Sequence, residues 1–505
     1  MALNASPGTS RAAAPESVNV PGLLAALAAL IAVMLLPRPE ALPAAGQIML
    51  ALLLFSVIVW ATEAVDYAIS AVLITALMAF MLGLAPNAAK PETVLGTGPA
   101  LTLALGGFAN TALALVAAAC FLSAAMTITG LDKRIALFIL SRVGARSSRV
   151  LLGAILVGIV LSFLVPSTTA RVACLVPIIM GIILAFGVDQ HSRFAGMLMI
   201  ATAQAASIWN VGVKTAAAQN MVAIGFIEKT FKTTITWGDW LVAAAPWSIL
   251  MSVALYFVML KMMPPETDEI AGGKEAIRQA LHEMGPMSAN EKKLLAITLA
   301  LLGFWATEKV LHPFDTASTT IAAIALMFTP GLGVMGWKQA QPKVPWGTII
   351  LFGTGISLGT ALLQTKAAAW LANIIVANLG LAGSSAFVIL ALLSLFLIVV
   401  HLGFASATAL ASAMIPIMIS VLQQIAGGPN GASMNLVGMT MLLQFVVSFG
   451  FILPVNAPQN MVAYGTDTFA VRDFVKTGLV LTAIGYALVL LLGATYWPWM
   501  GYMAR

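Results

Sequence analysis

The sequence predicts an all-α polytopic membrane protein built from two inverted repeats, each carrying a re-entrant hairpin. Three observations predict it. The 505-residue chain holds 60% hydrophobic and only 9% charged residues, where soluble domains carry about 25% charged ones. From 367 to 466 there is no Asp, Glu, Lys or Arg, a stretch that a bilayer permits and water does not. Finally, one polar pattern occurs twice. Ser167-Thr168-Thr169-Ala170, Pro177-Ile178 and Gln219-Asn220-Met221-Val222-Ala223 recur as Ser406-Ala407-Thr408-Ala409, Pro416-Ile417 and Gln459-Asn460-Met461-Val462-Ala463. Ser to Pro is ten residues in both copies. Ser to Asn is 53 in one (220 − 167) and 54 in the other (460 − 406). Polar breaks duplicated inside apolar helices are a common way to build a midplane transport site.

The elements follow in order. Residues 1–18 are polar and weakly charged, and the run 20–36 reads as a first span, because it lacks the positive n-region of a cleaved signal. Further apolar spans lie at 46–62, 66–85, 101–141 (long enough to be broken), 150–188, 194–226, 238–263, 294–311, 317–334, 347–379, 384–424, 436–465 and 474–500. The stretches 150–188 and 384–424 are each interrupted centrally by the Ser/Thr motif. Each reads as a hairpin whose tip reaches membrane depth, tolerable only under cover of protein or a watery cavity. The stretches 194–226 and 436–465 break at Asn210–Thr215 and Gly450–Asn456, where Gly and Pro loosen the helix. The chain divides into a tail and first span (1–44), a first repeat (45–263), a charged linker (264–293) read as solvated, and a second repeat (294–505). An odd number of spans per repeat inverts the second copy.

Basic residues set the orientation. With the N-terminus inside, 16 Lys and Arg face the cytoplasm, among them Arg149, Arg193, Lys338 and Lys343, and six face out. The C-terminus then lies outside. The first hairpin enters from the cytoplasm and the second from outside. Dispersed basic residues argue against a nucleic-acid surface. Four scattered histidines, His191, His282, His312 and His401, give no metal or catalytic constellation for an enzyme. Cys120 and Cys174 lack ligand spacing and read as small buried hydrophobes. No charged or carbonyl filter points to a channel.

Neither tip nor break contains an Asp or Glu. The buried groups are hydroxyls and amides, with Arg171, Lys214 and His401 beside them. These donate hydrogen bonds or carry positive charge, and helix N-termini at the breaks attract anions. Two tips could hold the two ends of one dianion, so the cargo implied is a small dicarboxylate or similar oxyanion. The candidate binding residues are Ser167, Thr168, Thr169, Ser406, Ala407 and Thr408, with Asn220 and Asn460 beside them. Each has a structural alternative: the tip residues as packing groups or caps, the asparagines as caps of the restarting helices. Arg171 either pairs with a substrate carboxylate or snorkels to the interface. Lys214 either fills the place of a bound cation at the break or is interfacial. His401 is either a charged site residue or a satisfied core histidine.

These motifs also carry a resemblance. PSTTAR at 166–171, ASATA at 405–409, GFANTALALVAAACFLSAAMTITGLDKRIA at 107–136 and LPVNAPQNMVAYG at 453–465 resemble the divalent-anion/sodium symporter family of di- and tricarboxylate carriers, over about 45–500. The resemblance implies eleven spans, two opposed hairpins, a homodimer in a bacterial inner membrane, elevator-type alternating access, and no cofactor. The usual family tip is Ser-Asn-Thr in both copies; Thr168 and Ala407 stand in the middle place here. That departure resembles the exchanger branch, which includes bacterial citrate or tartrate antiporters and plastid oxoglutarate/malate translocators. Lys214 and His401 would then supply fixed positive charge where symporters bind ions. The alternative is a sodium-coupled symporter with sodium sites near Ser167 and Ser406.

Overall fold

A computed structural model describes residues 18–87, 90, 92–144, 146–185, 187–266, 273–428 and 434–504. Most of the N-terminal tail and the linker acids Asp268 and Glu269 lie outside them. Among the described residues the chain is helical, with eight helices long and apolar enough to cross a membrane and seven shorter apolar ones. Large side chains such as Leu24, Phe80, Val253 and Phe257 stay exposed on the periphery, as a lipid-facing surface requires. By contrast the helix Arg193–Gly212 is buried from Phe194 to its end.

The order of helices recurs. The first half runs Ala44–Ala61, Tyr67–Gly83, the short Thr97–Leu105, Thr111–Thr129, Leu131–Val143, a hairpin, a broken helix and Trp237–Met262. The second runs Ala289–Ala306, Thr316–Phe328, the short Trp337–Ala340, Trp346–Gln364, Ala367–Asn378, a hairpin, a broken helix and Val471–Ala494. The first hairpin is Ser147–Leu164 and Thr168–Ala185; the second is Ala386–His401 and Ala407–Ala426. The first broken helix is Arg193–Gly212, a short turn at Lys214–Ala216, then Ala218–Phe231. The second is Leu436–Val447, a turn at Pro454–Asn456, then Pro458–Tyr464.

Two long apolar stretches divide, the first in keeping with its length. The run 101–141 becomes three helices. Asn110 starts the second by accepting from the Ala112 amide at 2.8 Å, and Gly130 ends it in a left-handed conformation, φ 75°. The run 347–379 turns at Lys366, φ 61°. The linker also departs from the solvated segment expected of its charge. Gly273–Glu283 forms a helix packed on Leu131–Val143 and on the return arm of the first hairpin. Ile277, Ala280 and Leu281 recur at helical spacing, so one stripe of an otherwise polar helix seeks cover. Arg134 fixes the linker's far end through an ion pair to Glu291 at 2.5 Å.

Candidate functional site

Each hairpin tip is built by a serine that starts its return helix. The Ala170 amide donates to Ser167 Oγ and the Ala409 amide to Ser406 Oγ, both at 3.4 Å. Accepting the cap uses one lone pair of each hydroxyl and leaves its proton free to point elsewhere. Both tips open on one cavity of about 350 Å³, lined by Ser167, Thr168, Thr169, Ser406, Ala407 and Thr408. Behind them it is walled by the restarts of both broken helices, at Ala217–Gln219 and Ala457–Gln459, and by Asn210 and Thr215. Among the described residues no charged side chain lines it. The N-termini of Thr168–Ala185, Ala218–Phe231 and Ala407–Ala426 converge there, and their unpaired amides give the cavity a positive potential. Neutral hydroxyls and helix N-termini facing one hollow suit a small multivalent anion.

The two asparagines of the repeated pattern do not line this cavity. Asn220 is fully buried and its amide donates to the carbonyls of Asn210 (2.7 Å), Val213 (3.2 Å) and Lys214 (3.4 Å). Asn460 does the same to Gly450 (2.8 Å) and Leu453 (3.4 Å). The partners at 2.8 Å or less stand ten residues back in each copy. A helix break frees carbonyls that have no water at membrane depth, and these amides close them.

Arg171 reaches neither the cavity surface nor an interface. It is fully buried. Its Nη1 donates to the carbonyls of Val165 (2.7 Å) and Ala216 (2.9 Å). Its Nη2 donates to Asn210 Oδ1 (2.6 Å), the Ala206 carbonyl (3.3 Å) and Thr168 Oγ1 (3.4 Å). Five oxygens thus surround the guanidinium, drawn from the first tip and the first break. Leu410 occupies the matching position in the second copy, yet a second basic side chain reaches the matching place. His401 Nε2 lies 3.4 Å from the Asn456 carbonyl. Asn456 and Ala216 both precede the paired asparagines by four residues (460 − 456 and 220 − 216). In each half, then, a basic group on the hairpin engages the same carbonyl of the break.

Lys214, expected to occupy a cation's place at the break, turns away from the cavity. Its Nζ donates to the Ile235 carbonyl at 2.6 Å and to Thr316 Oγ1 at 3.4 Å. Thr316 in turn donates from its amide (3.2 Å) and hydroxyl (2.8 Å) to the Glu308 carboxylate, which also accepts from the Trp237 amide at 3.0 Å. Lys214 thus joins the two halves through the Thr316 hydroxyl, which also bonds to the buried Glu308.

Several lining residues escape sequence reasoning. Gln219 and Gln459 stand inside the repeated pattern, next to the asparagines. Their amides cross between halves, to Ser448 Oγ (3.3 Å) and Ser207 Oγ (3.0 Å) respectively. Cys120, read as packing, does lie buried and free, and also on the cavity wall. Tyr67 and Thr348 also line it, and no motif marks them. Among the described residues no group of three or more His, Cys, Asp or Glu could hold a metal.

Comparison with known proteins agrees with this architecture. The profile described as the sodium:sulfate symporter transmembrane region matches residues 17–503. A Cupriavidus necator membrane protein is 56% identical over 482 residues, covering 95% of this chain and 93% of its own. An L-tartrate/succinate antiporter of Shigella sonnei is 26% identical, covering 94% of this chain and 97% of its own. A sodium-dependent dicarboxylate transporter of Staphylococcus saprophyticus is 24% identical, covering 93% and 90%. Among solved structures, the Alcanivorax borkumensis YdaH transporter matches with a TM-score of 0.53 over 86% of this chain and 97% of that one, at 13% identity. That likeness speaks for the fold.

Proposed function

Because this chain belongs to the sodium:sulfate symporter family of membrane transporters, we propose that it exchanges small di- or tricarboxylates across the membrane. The carrying observation is the uncharged cavity into which both hairpin tips and three helix N-termini converge. One carboxylate meets the Ser167–Thr169 tip and the other the Ser406–Thr408 tip. Hydroxyl and backbone donors to a carboxylate are charge-assisted and stronger than neutral pairs.

Exchange is favoured over sodium coupling by Arg171. Its guanidinium takes up five oxygens at a helix break, the kind of group that would otherwise attract a cation. A charge fixed in the protein cannot leave with the cargo. Moving the unloaded site across the membrane would carry that charge uncompensated, so a counter-anion must travel back. His401 serves the matching break as hydrogen-bonding partner. Sodium-coupled uptake is the second reading, favoured by the dicarboxylate transporter of Staphylococcus saprophyticus among the relatives. The carrier works as a homodimer with its N-terminus cytoplasmic, in keeping with the basic residues, and shifts the paired tips by an elevator-type displacement.

Reconstituted liposomes test the proposal. Labelled succinate is expected to enter vesicles loaded with dicarboxylate, with or without sodium, and to enter empty vesicles at a small fraction of that rate. Uptake into empty vesicles that rises steeply with a sodium gradient would establish the symport reading instead.

A further inference from the structure

Most of the cavity wall comes in matched pairs, a tip and a break from each half. Tyr67 does not. It opens the helix Tyr67–Gly83, outside both hairpins and both broken helices, and faces the second tip across the cavity. Its hydroxyl donates to Glu63 Oε1 at 3.4 Å, and the ring lines the same cavity as Ser406. A carboxylate can only accept, so the phenol directs its proton to Glu63. Glu63 itself sits in a left-handed backbone conformation, φ 46°, which is uncommon for a residue with a side chain. The turn is fixed on both sides, by the Ala64 amide bonding the Val59 carbonyl at 3.0 Å and by Asp66 capping the Ala68 amide at 2.7 Å.

This arrangement gives the cavity something the tips lack. Ser167 and Ser406 already accept backbone amides, and Thr168 Oγ1 accepts from Arg171 while donating to Asn210 Oδ1 at 2.7 Å. The two serines, each accepting one amide, still have a proton to donate, which suits carboxylates. Tyr67, with its proton committed to Glu63, presents lone pairs into the same space. An acceptor on the side wall fits a cargo that carries a donor between its two carboxylates.

We propose that Tyr67 is a specificity-determining residue, and that its phenol oxygen accepts a hydrogen bond from the hydroxyl of a 2-hydroxydicarboxylate. This rests on the dicarboxylate reading above and narrows it. A site built to pair with a substrate hydroxyl discriminates against the analogue that lacks it. The exchanger therefore prefers malate or tartrate to succinate, and the preference resides in one side chain outside the duplicated motifs.

The test is the ratio of succinate to L-malate dissociation constants, measured by titration calorimetry on the purified full-length protein in lipid nanodiscs. The parent protein is expected to bind L-malate roughly five- to tenfold more tightly. In Tyr67→Phe the ratio should fall close to one. In Glu63→Gln, which can donate to the phenol and so turns its proton toward the cavity, the ratio should fall too, with Tyr67 still in place. An unchanged ratio in Tyr67→Phe overturns the proposal whatever happens to the absolute affinities, as does a parent protein that binds succinate as tightly as L-malate. A parent protein that binds none of succinate, L-malate and tartrate overturns the dicarboxylate reading itself, and this inference with it.

Discussion

Ser167 and Ser406 each cap a helix and offer a hydroxyl to the cavity, and substitution separates these roles from those of the asparagines behind them. Removing either hydroxyl loses a cap, about 1 kcal/mol, and a hydrogen bond to a charged carboxylate, about 1.5–3 kcal/mol. Ser167→Ala and Ser406→Ala are expected to weaken dicarboxylate binding by roughly tenfold or more, with a small loss of thermal stability. Asn220→Ala and Asn460→Ala should show the opposite balance. Each exposes two or three buried carbonyls, at about 1–3 kcal/mol apiece, so the melting temperature falls well before affinity is the limiting loss. Titration and thermal unfolding of the four variants distinguish the two patterns. The repeated spacing makes the asparagines legible as a pair, but it does not say which way they point, because an amide suits a freed carbonyl as well as a bound carboxylate. The pairing of Arg171 with His401 is hidden for another reason. One follows its tip by four residues and the other precedes its tip by five (171 − 167 and 406 − 401), so no alignment of the two copies brings them together.

Elements are legible wherever polar residues interrupt them. Both hairpin tips and both broken helices carry Ser, Thr, Asn, Gly or Pro at the turn. The break at Lys366 is not legible in this way, since it depends on a single residue with positive φ between apolar runs. The link between elements is harder still to read, because Lys214 and Glu308 lie 94 residues apart (308 − 214) in different halves. Glu308 accepts from the first residues of two helices, Trp237 and Thr316, and faces Lys214 through the Thr316 hydroxyl. The two buried charges meet on one hydroxyl, so neutralising one weakens the hydrogen bonds that hold the other. Glu308→Gln is therefore expected to destabilise the protein by about 1–3 kcal/mol. Adding Lys214→Met should recover a substantial part of that loss, as read by thermal unfolding. Independent, additive losses would show that the two charges do not interact.

At the scale of the whole molecule, the charge-free segment from 367 to 466 and the twice-written pattern are enough to predict a helical membrane protein of two related halves, because bilayer thickness and backbone satisfaction leave few alternatives. The cavity follows from the same logic: two interrupted hairpins must cover their tips, and here each return helix packs on the restarted helix of the other half. What the chain does not announce is that Tyr67 and Thr348 join the wall, because these residues sit at ordinary helix starts. The central claim is that both tips close on one dianion. A cryo-electron microscopy map of the protein in lipid nanodiscs with saturating L-malate tests it most directly. The account predicts one elongated density between Ser167 and Ser406, with a carboxylate at each tip and Arg171, Asn220 and Asn460 out of contact behind them. Density held instead at Arg171 or Lys214, or ligand touching a single tip, would contradict it.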